Sequence, residues 1–206
     1  MRVFRAGCRA AVLALLLLAM PGEAGAQNAP MPAHLTPQDA AELQRVAAYL
    51  DGIHTMTARF QQATAGGAAA GRLWLQRPGR MRFQYDAPSQ LLMFSDAFYI
   101  YYWDPELKQT SRVALRSTPA WFLLREPISF SDDVMVTRFE HIGNTLRVTV
   151  VQTSDPDGGS LTMDFTANPL ALRQWTVIDQ KAKATTVVLS DVQFGMALDP
   201  NLFQNR

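Results

Sequence analysis

The sequence predicts a mostly β domain with a few helices, its strands forming an antiparallel meander, sandwich or barrel. Three observations point there. About ten short runs of period-two hydrophobicity fill the chain from Thr55 onward. Turn signals separate them at intervals of roughly 8–12 residues. The two helical stretches are too few to build a layer of their own, so each must lie on the sheet.

The first element is an export signal. Arg2, Arg5 and Arg9 precede an apolar run of eleven residues, Ala10 to Met20. Pro21-Gly22 breaks the run, and Ala24-Gly25-Ala26 supplies a small-x-small cleavage site. A permanent bilayer span needs about 20 apolar residues, so residues 1–26 read as a cleaved signal peptide that delivers the chain to the periplasm. The one cysteine, Cys8, precedes the apolar run and leaves with the signal, so the mature chain carries neither a lipid anchor nor a disulfide. Cleavage takes away three of 19 basic residues and one of 18 acidic ones, leaving 16 against 17. That balance argues against nucleic acid as a partner and against electrostatic capture by anionic lipid.

Residues 27–36 are Pro-rich and aperiodic and read as a disordered leader; residues 37–206 read as one domain. Its first helix is capped by Thr36, with Pro37 at the first position and Asp39 completing a capping box. Leu43, Val46, Ala47 and Leu50 make one stripe, and Gly52 is expected to end the helix in a left-handed cap. Met56, Ala58 and Phe60 then alternate with polar residues. A flexible stretch, Gly66 to Gly71, leads into a strand at 72–77, the Pro78-Gly79 bend and a strand at 80–85. Strands are expected at 91–94, 98–103 and 107–115, then a short helix at about 119–125 with Thr118 as its cap. His141 to Thr145 marks a hairpin loop. Leu146, Val148 and Val150 share one face, as do Leu161, Met163 and Phe165. Asn168-Pro169 and Asp179 to Ala184 punctuate the last strands.

The inward set is unusual in kind. If register holds across Pro78-Gly79, one face collects Leu73, Leu75, Arg77, Met81, Phe83 and Tyr85, with Met93, Met163 and Phe165 joining from later strands. Met and aromatic side chains suit a cavity for a flexible apolar guest, and they also suit a solid core. Arg77 on such a face either points to solvent at the bend or bonds carbonyls at the end of a covering helix. The helix around Pro119, Trp121, Phe122 and Leu124 is apolar almost all round, so it is either permanently buried or a lid.

The ordered set Ala58-Arg-Phe-Gln-Gln62, Gly71-Arg-Leu-Trp-Leu-Gln-Arg-Pro78, Met81-Arg-Phe-Gln-Tyr-Asp-Ala-Pro88, Ser95-Asp96, Tyr102-Trp-Asp-Pro105 and Asp199-Pro-Asn-Leu-Phe203 resembles the periplasmic lipoprotein carriers of the LolA family. The resemblance implies an unclosed, curved antiparallel β half-barrel covered by a helical lid, with the family's latch arginine falling on Arg77. It implies a non-enzymatic carrier without cofactor, working as a monomer. Acylated lipoproteins would be its cargo, received from an inner-membrane ATP-driven transporter and passed to an outer-membrane acceptor. The acyl-chain cavity would then include Leu73, Leu75, Met81, Phe83, Tyr85, Met93, Met163 and Phe165, beneath a lid of Pro119, Trp121, Phe122 and Leu124. One departure stands out. The family usually carries glycine after Ser-Asp, whereas this chain has Ala97. The run 98–103 is also apolar on both faces, so its outer side needs a cover.

Catalysis finds little footing. His34 lies in the leader, His54 after the helix and His141 at a hairpin, and no His/Asp/Glu set has metal-ligand spacing. A periplasmic binder of another amphiphile, such as a free lipid, glycolipid or hopanoid, would use the same scaffold.

Overall fold

The computed structural model describes residues 29–89 and 91–204; the signal segment 1–26 lies outside them. Helix α1 spans Pro37–Asp51. Strands β1 (Thr55–Thr64), β2 (Gly67–Gln76), β3 (Arg80–Tyr85), β4 (Leu92–Asp96), β5 (Tyr99–Asp104) and β6 (Gln109–Ala114) form a first meander. A 3₁₀ turn at Leu115–Ser117 and helix α2 (Trp121–Leu124) lead into a second meander. It comprises β7 (Val134–Ile142), β8 (Thr145–Gln152), β9 (Gly159–Thr166), β10 (Ala171–Asp179) and β11 (Ala184–Phe194). Pairing of β1 with β11 joins the two into one antiparallel sheet of eleven strands, in the order β6-β5-β4-β3-β2-β1-β11-β10-β9-β8-β7. The last and first in that order are not paired, so the sheet is unclosed. Segment 115–124 runs from edge strand β6 to the other half of the sheet: Gln152 of β8 donates to the Arg116 carbonyl at 3.0 Å, and Pro119 lies against Gly159 of β9.

α1 starts as its sequence dictates. The Thr36 hydroxyl accepts from the Asp39 N–H, and the Asp39 carboxylate accepts from the Thr36 N–H at 2.9 Å. Its end differs from expectation. Gly52 is right-handed (φ −67°), with its N–H bonded to the Ala48 and Leu50 carbonyls, and Ile53 N–H then bonds Leu50. The last turn tightens instead of reversing, because the chain must run straight on into β1. Leu43, Val46 and Leu50 are buried against the second meander, where the Tyr49 ring meets Phe165 edge-on and its hydroxyl accepts from the Leu172 N–H.

The Gly66–Gly71 stretch is not a flexible linker; from Gly67 onward it is strand. Gly71 lies under the Phe60 ring, and a Cβ there would come within 2.7 Å of that ring and 2.2 Å of the Gln84 carbonyl oxygen. A glycine-rich strand lets β1 and β3 approach across it. Residues 29–35 form no helix or strand, and Ala33 N–H donates to the Val136 carbonyl of edge strand β7 at 2.8 Å.

Helix α2 is four residues long, shorter than expected, and the Thr118 hydroxyl does not cap it. That hydroxyl donates to the Leu115 carbonyl at 2.9 Å and holds the preceding 3₁₀ turn. Within the chain, a cover lies over the outer side of β3 and β4 and not over β5. The 3₁₀ turn Pro200–Phe203 packs over β3 and β4, fixed by Arg82 donating to the Leu202 carbonyl at 2.9 Å. Phe94 stacks on Tyr101, and the Arg112 guanidinium sits 4.7 Å from the Tyr99 ring centre. Phe98 is the most open residue of the run, at 75 % exposure, and Tyr99 and Tyr102 are also exposed.

Candidate functional site

Strand parity decides which side chains meet inside the curve. Across β2 and β3, Leu73 faces Phe83 and Leu75 faces Met81; across β3 and β4, Phe83 faces Met93. Register therefore holds through the Pro78-Gly79 bend. Leu73, Leu75, Met81, Phe83, Tyr85 and Met93 line one cavity of about 420 Å³, a volume ordinary for a ligand cleft. The structure adds Ile100, Val113, Leu123, Trp175, Val177 and Val187 to that lining. Apart from Leu123 of α2, each alternates with a polar or outward residue in its own strand, but which strands share a wall follows from the β1–β11 pairing, which no local pattern reveals.

Met163 and Phe165 are placed elsewhere. Both face inward as parity requires, yet neither lines the cavity, and both are fully buried. α1 covers the sheet at their height, so they belong to solid core.

The lid residues also divide. Pro119, Ala120, Leu123 and Leu124 face the cavity. Trp121 and Phe122 point away from it; Phe122 stacks on Phe130, and Trp121 lies beneath the Arg116 and Arg125 guanidinium groups. Behind them is a void of about 10 Å³, at the lower bound for one water. One side of α2 is thus packed core and the other is cavity wall.

Arg77 ties this arrangement together. Its side chain is buried, its Nε donates to the Leu123 carbonyl at 2.8 Å, and its Nη1 donates to the Leu50 carbonyl. One guanidinium thereby holds the ends of both helices, adding a side-chain donor to a Leu50 carbonyl that also accepts from the Gly52 and Ile53 N–H groups. Burial lowers its pKa to about 10, opposed by the charges of Asp51 and Glu126, so it stays cationic at neutral pH. Beside it, Gly79 N–H donates to the Leu124 carbonyl at 2.8 Å. The Gly79 carbonyl in turn accepts from the buried Ser95 hydroxyl at 2.6 Å, and Ser95 Oγ accepts from Met81 N–H at 3.0 Å. Asp96 closes the next turn, its carboxylate accepting from the Phe98 and Tyr99 N–H groups and the Tyr101 hydroxyl. The Ser95-Asp96 pair thus braces the bend from which Arg77 reaches the lid.

Polar groups gather at the opposite end of the cavity. Tyr85 donates to Gln62 Oε1 at 2.8 Å, and burial pushes its phenol pKa up to about 12. Tyr102, Asp179, Lys181, Lys183 and Thr185 complete that rim. Among the described residues no cluster of His, Cys, Asp or Glu could hold a metal. His54 pairs with Glu126 and His141 with Asp39, both at the surface.

Comparison with known proteins follows the same line. Residues 51–206 match the family model of the outer membrane lipoprotein carrier protein LolA. The outer-membrane lipoprotein carrier protein of Pseudomonas paraeruginosa is 31% identical over 176 residues, covering 80% of this chain and 83% of that one. Its counterpart in Pseudomonas fluorescens is 30% identical over 183 residues, covering 84% and 86%. The crystal structure of a LolA superfamily protein from Nitrosomonas europaea aligns over 79% of this chain and 97% of its own, at 9% identity and a TM-score of 0.45.

Proposed function

The chain belongs to the LolA family of outer membrane lipoprotein carrier proteins, and from that premise we propose that it carries acylated lipoproteins across the periplasm, from an inner-membrane ATP-driven transporter to an outer-membrane acceptor. Like the family, it is a non-enzymatic carrier. The observation that supports the cargo is the apolar cavity beneath a lid held by Arg77.

An acyl chain gains about 0.8 kcal/mol per buried methylene, so two or three long chains hold a lipoprotein in a membrane by tens of kcal/mol. Unaided crossing of water is then negligible. A carrier must offer comparable apolar lining and still release its guest. Opening the lid breaks the bonds from Arg77 to Leu123 and Leu50, and charge-assisted bonds of this kind contribute about 1.5–3 kcal/mol each. The latch therefore opposes loading, which an ATP-driven donor can supply, and favours unloading downstream.

The test is mass spectrometry of the protein purified from its periplasm. Acylated lipoproteins should accompany the wild type and be lost from Phe83→Glu, which puts a carboxylate in the cavity wall. Free lipid in place of lipoprotein overturns the cargo assignment. The Arg77→Leu protein should retain cargo longer in the presence of an outer-membrane acceptor; release at the wild-type rate overturns the latch.

A further inference from the structure

We propose, resting on the carrier reading above, that cargo enters tail-first through the rim at the β10–β11 turn, and that Lys181 and Lys183 there favour cargo whose acylated end is followed by an acidic peptide segment. The cavity is polarised along its length. Its floor, with Leu75, Met81, Leu123 and Leu124, lies at the end closed by Arg77. Its rim is the other end of the same strands. Gln62 lies towards the end of β1, Tyr85 and Asp179 end β3 and β10, and Thr185 is the second residue of β11. An acyl chain gains most by filling the floor, which leaves whatever follows it at the rim.

The rim offers donors and spends its acceptors. The Asp179 carboxylate accepts the N–H groups of Lys181 at 2.8 Å and Lys183 at 2.9 Å, so one of its oxygens is committed to closing the turn. Those two bonds hold its pKa below the ordinary carboxylate range, so it is ionised and counts one negative charge. Lys181 and Lys183 bring two ammonium groups to the same turn, and among the described residues neither forms an ion pair. Across the opening Gln62 Oε1 is occupied by the Tyr85 hydroxyl, and Gln62 Nε2 has no protein acceptor among the described residues. On the β10–β11 side the lip thus carries two ammonium groups against one carboxylate, with an amide donor across from them, while the Asp155 carboxylate lies against Gly158 on the β8–β9 side. In a chain whose basic and acidic residues number 19 and 18, that placement is local. It suits carboxylates lying just outside the mouth.

The experiment measures displacement of an uncharged hydrophobic fluorophore by two peptide amides with the same tail, N-lauroyl-Ser-Asp-Asp and N-lauroyl-Ser-Asn-Asn. Exposed pairs contribute little each, so the acidic peptide should bind the wild type about fivefold more tightly than the neutral one. The ratio should fall to near one in Lys181→Ala/Lys183→Ala and on raising the salt, with the neutral peptide unaffected by the substitutions. Both lysines are exposed, and an unchanged melting temperature verifies that the variant folds. Equal ratios in wild type and variant overturn this proposal while leaving the carrier reading intact. Displacement by neither peptide, or displacement unaltered in Phe83→Glu, removes the cavity reading and this proposal with it.

Discussion

Ala97 holds a backbone geometry that side chains with a Cβ avoid, with φ at 84° between β4 and β5. Its neighbour across the bend, Gly79, has φ of 74°, and a Cβ on Gly79 would come within 2.5 Å of the Ala97 Cα and Cβ. The two residues therefore pack back to back under the latch, with Ala97 N–H donating to the Gly79 carbonyl at 3.1 Å. Glycine at position 97 keeps that bond and relieves the strain. Ala97→Gly should stabilise the protein by about 1 kcal/mol, a rise of about 3 °C in melting temperature by calorimetry. A fall in melting temperature would mean that the alanine methyl contributes more than its geometry costs. This position was legible beforehand as a departure from the family pattern. Arg77 was legible only as a choice between solvent and a helix end, because a bend in sequence does not say what lies above it. Met163 and Phe165 show the same limit from the other side. Alternation assigns a side chain to a face, but not to the stretch of that face that α1 covers.

At the scale of elements, the start of α1 was written in Thr36, Pro37 and Asp39, while its right-handed end was not, since glycine permits either hand. The length of α2 was overread because Trp121–Leu124 is apolar whichever backbone carries it. The capping box has a consequence for acid. Bonds from Thr36, side chain first and then backbone, hold Asp39 below its ordinary value of 3.8, helped by His141. A carboxylate whose folded pKa is depressed contributes stability above its unfolded pKa and loses it as pH falls through the folded one. The start of α1 should therefore loosen on acidification below about pH 4. Protection of the Asp39 and Ala40 amides, measured against the intrinsic exchange rate at each pH, should fall there in the wild type, and much less so in Asp39→Asn, which has no proton to gain. Matching acid profiles in the two proteins would assign the loosening to other groups.

Over the whole molecule, turn signals delimited most of the eleven strands, but the pairing that closes the two meanders into one sheet joins residues such as Phe60 and Leu189. Contacts of that separation leave no local trace. They nevertheless set the hierarchy of stability. Phe60 is fully buried at the centre of the strand order and packs edge-on against Phe83 and Tyr85. Phe122 is equally buried, but in the segment that runs from edge strand β6 to the other half of the sheet, where its ring stacks on Phe130 of the same connection. Truncating a buried phenylalanine costs about 3–5 kcal/mol when the whole fold depends on it. Phe60→Ala should lose that much in denaturant unfolding, as a single shifted transition. Phe122→Ala should instead open the lid below the global transition, because regions of local packing unfold on their own. Its global stability should fall by less than half as much, while amide exchange across residues 115–130 rises and a hydrophobic probe enters the cavity faster. Equal losses from the two variants, with no local rise in exchange, would make lid and sheet one cooperative unit. Breaking the Arg77 bonds would then loosen the sheet together with the lid, and a carrier so built could not open its cavity without beginning to unfold.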